Sequence, residues 1–192
     1  MESIGRIQSI DVEDIPNIDL YMDQVTTFME TKLRQTTRHP GEDKILTKTM
    51  INNYAKNNLL PSPDKKKYSR EHMLVLIFIY YCKSMLSIND IQALLNPITE
   101  KCFQSDDGFD MSAIYKEVFK DEENRKEELK ADVKTKFTLA EEVFKDAPKE
   151  DRDMLQLFAF IFSLGYDVYV KKLLLEKLID TYSEFNEGGS KK

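Results

Sequence analysis

At 192 residues, 41% apolar and 32% charged, the chain has ordinary soluble globular composition and enough length for one large domain or two small ones. A formal net charge of -6 argues, as an average, against a nucleic-acid partner. The layout argues the other way. Residues 1–31 carry one base and seven acids, residues 32–83 eleven bases and four acids, and residues 84–192 sixteen bases and twenty-three acids. A basic block between two acidic ones sets up a local field of the sign that attracts a polyanion.

The acidic N-terminus lacks the apolar core of a secretory signal, and residues 1–17 read as an N-terminal extension that is loosely ordered up to Pro16. Tyr21, Val25, Phe28, Met29 and Leu33 recur at helical spacing and predict a first helix over 19–34. Residues 35–43 hold Pro40-Gly41 and no apolar side chain, which predicts a loop. Thr47 then caps a short helix with Met50, Ile51, Tyr54 and Ala55 on one side and Thr49, Asn52, Asn53 and Lys56 on the other. This helix should end at Asn57 or Asn58, because Asn tolerates the left-handed conformation needed before Leu59-Leu60-Pro61. Pro61 to Asp64 bring a tight excursion, which Lys65-Lys66-Lys67-Tyr68 leave in extended form.

Ser69 is the next N-cap, with Glu71 in the first turn where the helix dipole favours an acid. The helix that follows contains MLVLIFIYYC, residues 73–82, the longest apolar run in the chain. It is about half of the ~20 residues a membrane span needs, so it reads as a helix central to a core. Ser87 caps a shorter helix, INDIQALL. After Pro97, residues 98–110 read as a connector containing Asp106-Asp107-Gly108. A helical pattern over 111–145 follows, with Ile114, Val118, Leu129, Val133, Phe137, Ala140 and Phe144 on one side. Its polar middle, KDEENRKEE, is a place for it to break. Pro148 precedes a last helix over 150–185, and the tail NEGGSKK is expected to be disordered. Within the last helix, LQLFAFIFSLGYDVYV has too many apolar residues for one stripe. Three explanations stand open: a self-contained core, a dimer interface, or a pocket for an apolar effector.

Cys82 and Cys102 are too few for a disulfide framework and read as free thiols in a reducing cytoplasm. With histidines at 39 and 72 alone, no metal site and no cofactor are expected. Ser69 and His72 share a helical turn, but no orienting acid or oxyanion donor frames them, and no Gly-rich phosphate loop exists. An enzyme is therefore not expected.

The order LTKTMINNYAKNNLLP, SPDKKKYSREH, MLSINDIQALL resembles the DNA-binding headpiece of MerR-type bacterial transcription regulators over residues 44–95. The shared pieces are a capped recognition helix ending in Leu-Leu-Pro, a basic wing, an aromatic-Ser-acid helix start and a Leu-Ser-Ile helix. Two departures stand out: residues 35–46 replace a tight turn, and Thr49 and Asn52 stand where the family carries arginine. The whole chain also resembles an uncharacterised family of Gram-positive bacteria, described as a domain of unknown function.

The resemblance implies a winged helix-turn-helix with a small β wing over 18–96. With the helical patterns that follow, the expected fold is all-α, with an α-helical domain over 97–186 and a tail over 187–192. It implies a DNA-facing set of Lys48, Thr49, Asn52, Asn53 and Lys56 on the helix, with Lys65, Lys66, Lys67, Tyr68 and Arg70 on the wing. The lysine triplet alone would be a solvated turn; between a polar helix and a capped helix it reads as phosphate contact. The expectation is a cytoplasmic, double-stranded-DNA-binding transcriptional regulator acting by site occupancy, as a homodimer through its C-terminal helices. Its rival is a helical protein-interaction module whose headpiece-like fold has lost DNA binding.

Overall fold

The computed structural model describes residues 9–105 and 108–189. A 3-10 turn (Val12–Asp14) leads to strand β1 (Leu20–Tyr21) and helix α1 (Met22–Leu33), with a second 3-10 turn at Arg34–Thr36. Helix α2 (Lys48–Lys56), strand β2 (Lys67–Tyr68), α3 (Arg70–Cys82) and α4 (Ile88–Cys102) follow. Then come α5 (Met111–Phe119), α6 (Glu122–Glu142) and α7 (Lys149–Gly189). The protein is mostly helical. The two strands pair antiparallel, Leu20 opposite Tyr68 and Tyr21 opposite Lys67.

Helix α3 is central, as an all-round apolar helix must be. His72 through Ile77 and Ile79 are all buried along it. It packs against β2, α4 and α5, and the α5 contact is aromatic. Phe78 lies 5.4 Å from the Tyr115 ring, edge-on, and Tyr115 lies 4.6 Å from Phe119. The Tyr81 and Tyr115 hydroxyls are buried there without a partner of good geometry among the described residues. Burial is the main cause that pushes the Tyr81 hydroxyl up to about 12.

The caps explain the helix starts. Ser87 Oγ accepts from the Asp90 amide at 3.1 Å while the Ser87 amide donates to Asp90 Oδ2 at 3.1 Å, a reciprocal box. Ser69 does the same with His72 in place of an acid: its amide donates to His72 Nδ1 at 3.0 Å.

Several expectations are corrected. Leu20 and Tyr21 are strand, not helix, because β2 offers them a ladder; the Tyr21 amide then finds Gln24 Oε1 at 2.8 Å, and the helix starts there. Residues ahead of Pro16 are part of the core over 9–15: Ile10, Val12 and Ile15 are buried, and Ser9 donates its amide to Glu122 at 2.9 Å. Residues 1–8 lie outside the described residues. Helix α4 continues through Pro97 to Cys102, so residues 98–102 are not connector and a boundary at 96/97 cuts a helix. Proline forfeits one amide there, and burial of Thr99 and Cys102 on the next turn holds the helix together. Asp106-Asp107 lie outside the described residues, as do residues 190–192; of the expected tail, residues 186–189 are helical. The 111–145 pattern does break, at Lys120-Asp121, the first two residues of the polar run, while the rest of that run is the first part of α6.

Beyond α5 the chain leaves the main core. Helices α6 and α7 form an antiparallel arm, tied by Lys136 to Asp167 (2.7 Å), Phe137 edge-on to Phe160 (5.4 Å) and Gln156 Nε2 to the Glu141 carbonyl (2.8 Å). The last part of α7 returns to pack on α4, where Ile179 enters the core. At 41 residues α7 is about 60 Å long. Its apolar run is not self-contained: Leu157, Phe158, Ile161, Phe162 and Tyr166 are all more than half exposed. The core explanation for that run is thereby removed. No described helix is long and apolar enough to cross a membrane.

Candidate nucleic-acid interface

Helix α2 follows the capping logic at both ends. Thr47 Oγ1 accepts from the Met50 amide at 3.2 Å. At the other end Asn58 adopts φ 55°, and the Leu59 and Leu60 amides turn back to the Tyr54 carbonyl at 2.9 and 3.2 Å. That closure satisfies the last turn and buries Leu59 and Leu60. Gln92 of α4 also donates to the Asn57 carbonyl, a clamp the sequence did not signal because its partners are 35 residues apart. Ile51 and Tyr54 face the core; Lys48, Thr49, Asn52, Asn53 and Lys56 are exposed, as the pattern required.

The turn after Pro63 differs from expectation. Lys65 and Lys66 are not extended: they take φ 47° and 65° and form a two-residue reversal closed by the Lys67 amide on the Asp64 carbonyl at 2.8 Å. Positive φ at both central positions is the hairpin geometry that normally selects Asn-Gly. Lysine there costs about 1–2 kcal/mol per residue relative to glycine. Both lysines are exposed and have no ion pair among the described residues.

Two members of the expected set turn inward. Tyr68 is only 3% exposed and meets the His72 ring edge-on at 5.5 Å, because its strand position points to the core. Arg70 donates to the Val12 carbonyl and sits 3.7 Å from Glu13, so its guanidinium anchors the N-terminal segment. Lys48 is ion-paired with Asp23, and Lys67 lies 5.5 Å over the Tyr21 ring. The exposed cations left without such partners in this region are Lys56, Lys65 and Lys66, with Thr49, Asn52 and Asn53 as exposed polar groups among the described residues.

The Ser69–His72 pair, with Oγ and Nδ1 2.8 Å apart, is a helix cap: His72 is 2% exposed, packed between Tyr68 and Phe103. Burial holds its imidazole below the ordinary range, against the opposing pull of the Ser62 and Pro61 carbonyls and of Asp19. Its Nε2 closes no hydrogen bond of good geometry. The unfolded chain takes up this proton near pH 6.5, and the folded chain at a lower pH. The stability this gives is fully present above about pH 6.5 and is lost as pH falls from there through the lower folded value, by up to about 1.4 kcal/mol per pH unit. Urea unfolding from pH 7.5 to 5.5 should show a steeper decline for the parent than for His72→Phe; parallel declines would remove His72 from the explanation. Among the described residues no cluster of three or more His, Cys, Asp or Glu side chains is placed to hold a metal ion.

The described residues define a mostly helical protein with a small two-stranded sheet. The chain belongs to the family described as Domain of unknown function (DUF1836), whose profile matches residues 10–118. That span takes in the N-terminal segment and stops inside α5, so the arm lies beyond it and the match covers less than the whole chain. No curated protein and no solved structure matches the chain.

Proposed function

We propose that the chain is a DNA-binding transcriptional regulator that works by site occupancy, through a winged helix-turn-helix similar to the MerR-type headpiece. In this reading α1 and α2 are the helix pair, α2 enters the major groove, and the Asp64–Lys67 turn is the wing. The observation that carries it is the wing tip. Two lysines occupy left-handed positions where glycine or asparagine would cost less, which makes sense if their charge is needed there. Lys56, Lys65 and Lys66 would position the headpiece on phosphates, and Thr49, Asn52 and Asn53 would read base edges.

Binding to duplex DNA should weaken with salt. If about three to five phosphates are neutralised per headpiece, log affinity should fall against log salt with a slope of about -3 to -4. Fluorescence anisotropy between 50 and 200 mM salt measures this, and a flat response would sink the proposal. The second reading is a helical protein-interaction module that has lost DNA binding. It draws support from the inward Tyr68 and Arg70 and from Lys48 being offset by Asp23.

A further inference from the structure

The side of α7 turned away from α6 is apolar over an unusual width. Between residues 154 and 173 the exposed set comprises Met154, Leu157, Phe158, Ile161, Phe162, Tyr166, Val168, Tyr169, Val170 and Leu173, each 42–63% exposed. At 100° per residue these positions cover an arc of roughly 220°, where one amphipathic stripe needs about 100°. A single partner helix covers one stripe; this arc takes two. Leaving roughly 100 Å² exposed on each of the ten gives on the order of 1,000 Å² per chain. A stable interface buries about 800 Å² per partner. Asp167, the one charge between residues 154 and 170, is turned to α6 and paired with Lys136.

Gly165 lies in the middle of this arc, with Ile161, Phe162, Val168 and Tyr169 one turn to either side. A Cβ built on it would meet nothing within 4 Å. Within this chain glycine has no packing reason to be there, yet in a helix interior it costs about 1 kcal/mol relative to alanine. A notch ringed by exposed apolar side chains admits another helix closely.

We propose that this face docks a second copy of the chain, the two α6–α7 arms closing as a four-helix bundle whose two-fold axis passes beside Gly165. A second copy brings the required pair of helices in one hairpin. It also brings an equally wide arc, uncharged from residue 154 to the end of its central part at residue 170, with Lys172 beyond that paired to Glu176 of the same helix. A two-fold contact makes such an arc self-complementary. This association does not depend on the DNA reading, and each can fail without the other.

Light scattering on the full chain at about 10 µM should give twice the 22.5 kDa chain mass. Ile161→Glu with Val168→Glu should give the single-chain mass, with helicity retained by circular dichroism because both residues are surface positions in one copy. Gly165→Cys should form a covalent dimer on mild oxidation, while the parent, whose Cys82 is half-buried and Cys102 buried, should not. A single-chain mass for the parent overturns the proposal, including the case where that single chain binds phospholipid vesicles instead. A twofold mass that survives the double glutamate variant, or that yields no Gly165→Cys crosslink, also overturns it.

Discussion

Leu76→Ala is expected to destabilise the protein by about 2–5 kcal/mol, the cost of deleting buried methyl groups and leaving part of their cavity behind. Leu76 is fully buried on α3, the helix against which β2, α4 and α5 all pack. Close packing on every side leaves little freedom for neighbours to collapse into the space, which favours the upper half of the range. Urea unfolding should show a midpoint lower by on the order of 1–2 M with little change in slope. A loss below about 1 kcal/mol would mean that α3 is not the centre of the fold.

Removing the wing charges should separate positioning from reading. Lys65→Ala with Lys66→Ala is expected to weaken binding to every duplex alike and to make the salt slope shallower by about 2, one unit per lost phosphate contact. Lys67→Ala should do less, since that ammonium rests over Tyr21. Lys65→Gly with Lys66→Gly is the control for folding. Glycine relieves the positive φ at both positions, so the variant should be at least as stable as the parent and still lose binding. Asn52→Ala or Asn53→Ala should instead cost about 1–3 kcal/mol on a preferred site only, because an amide that reads a base edge has no counterpart on random DNA. Competition titrations with a selected site and with random duplex give both numbers. If the lysine variants bind like the parent, the wing assignment fails; if the asparagine variants lose both kinds of binding equally, α2 is not reading sequence.

The parts of the fold legible in advance were those set by neighbouring residues. Thr47, Ser69 and Ser87 cap where a hydroxyl precedes an apolar period, and Asn58 takes the left-handed position its short amide tolerates. The run from Met73 to Cys82 is buried because a helix apolar on every side has nowhere else to go. Helix α2 divides into core and solvent faces along the line its sequence draws.

What the sequence could not decide involved partners far along the chain. Leu20 and Tyr21 became strand because Lys67 and Tyr68, nearly fifty residues on, presented a ladder. Arg70 was expected at the surface, yet the Val12 carbonyl and Glu13 claimed its guanidinium, and Tyr68 fell on the inward side of its strand. Pro97 signals a helix end by local rules, and the buried Thr99 and Cys102 overrode it. The excess of apolar residues in the last helix was plain from composition. Only the tertiary structure decided that α6 covers one side of it and leaves the rest open, because local pattern fixes how much apolar surface a helix carries, whereas the packing of distant elements fixes how much of that surface is left uncovered.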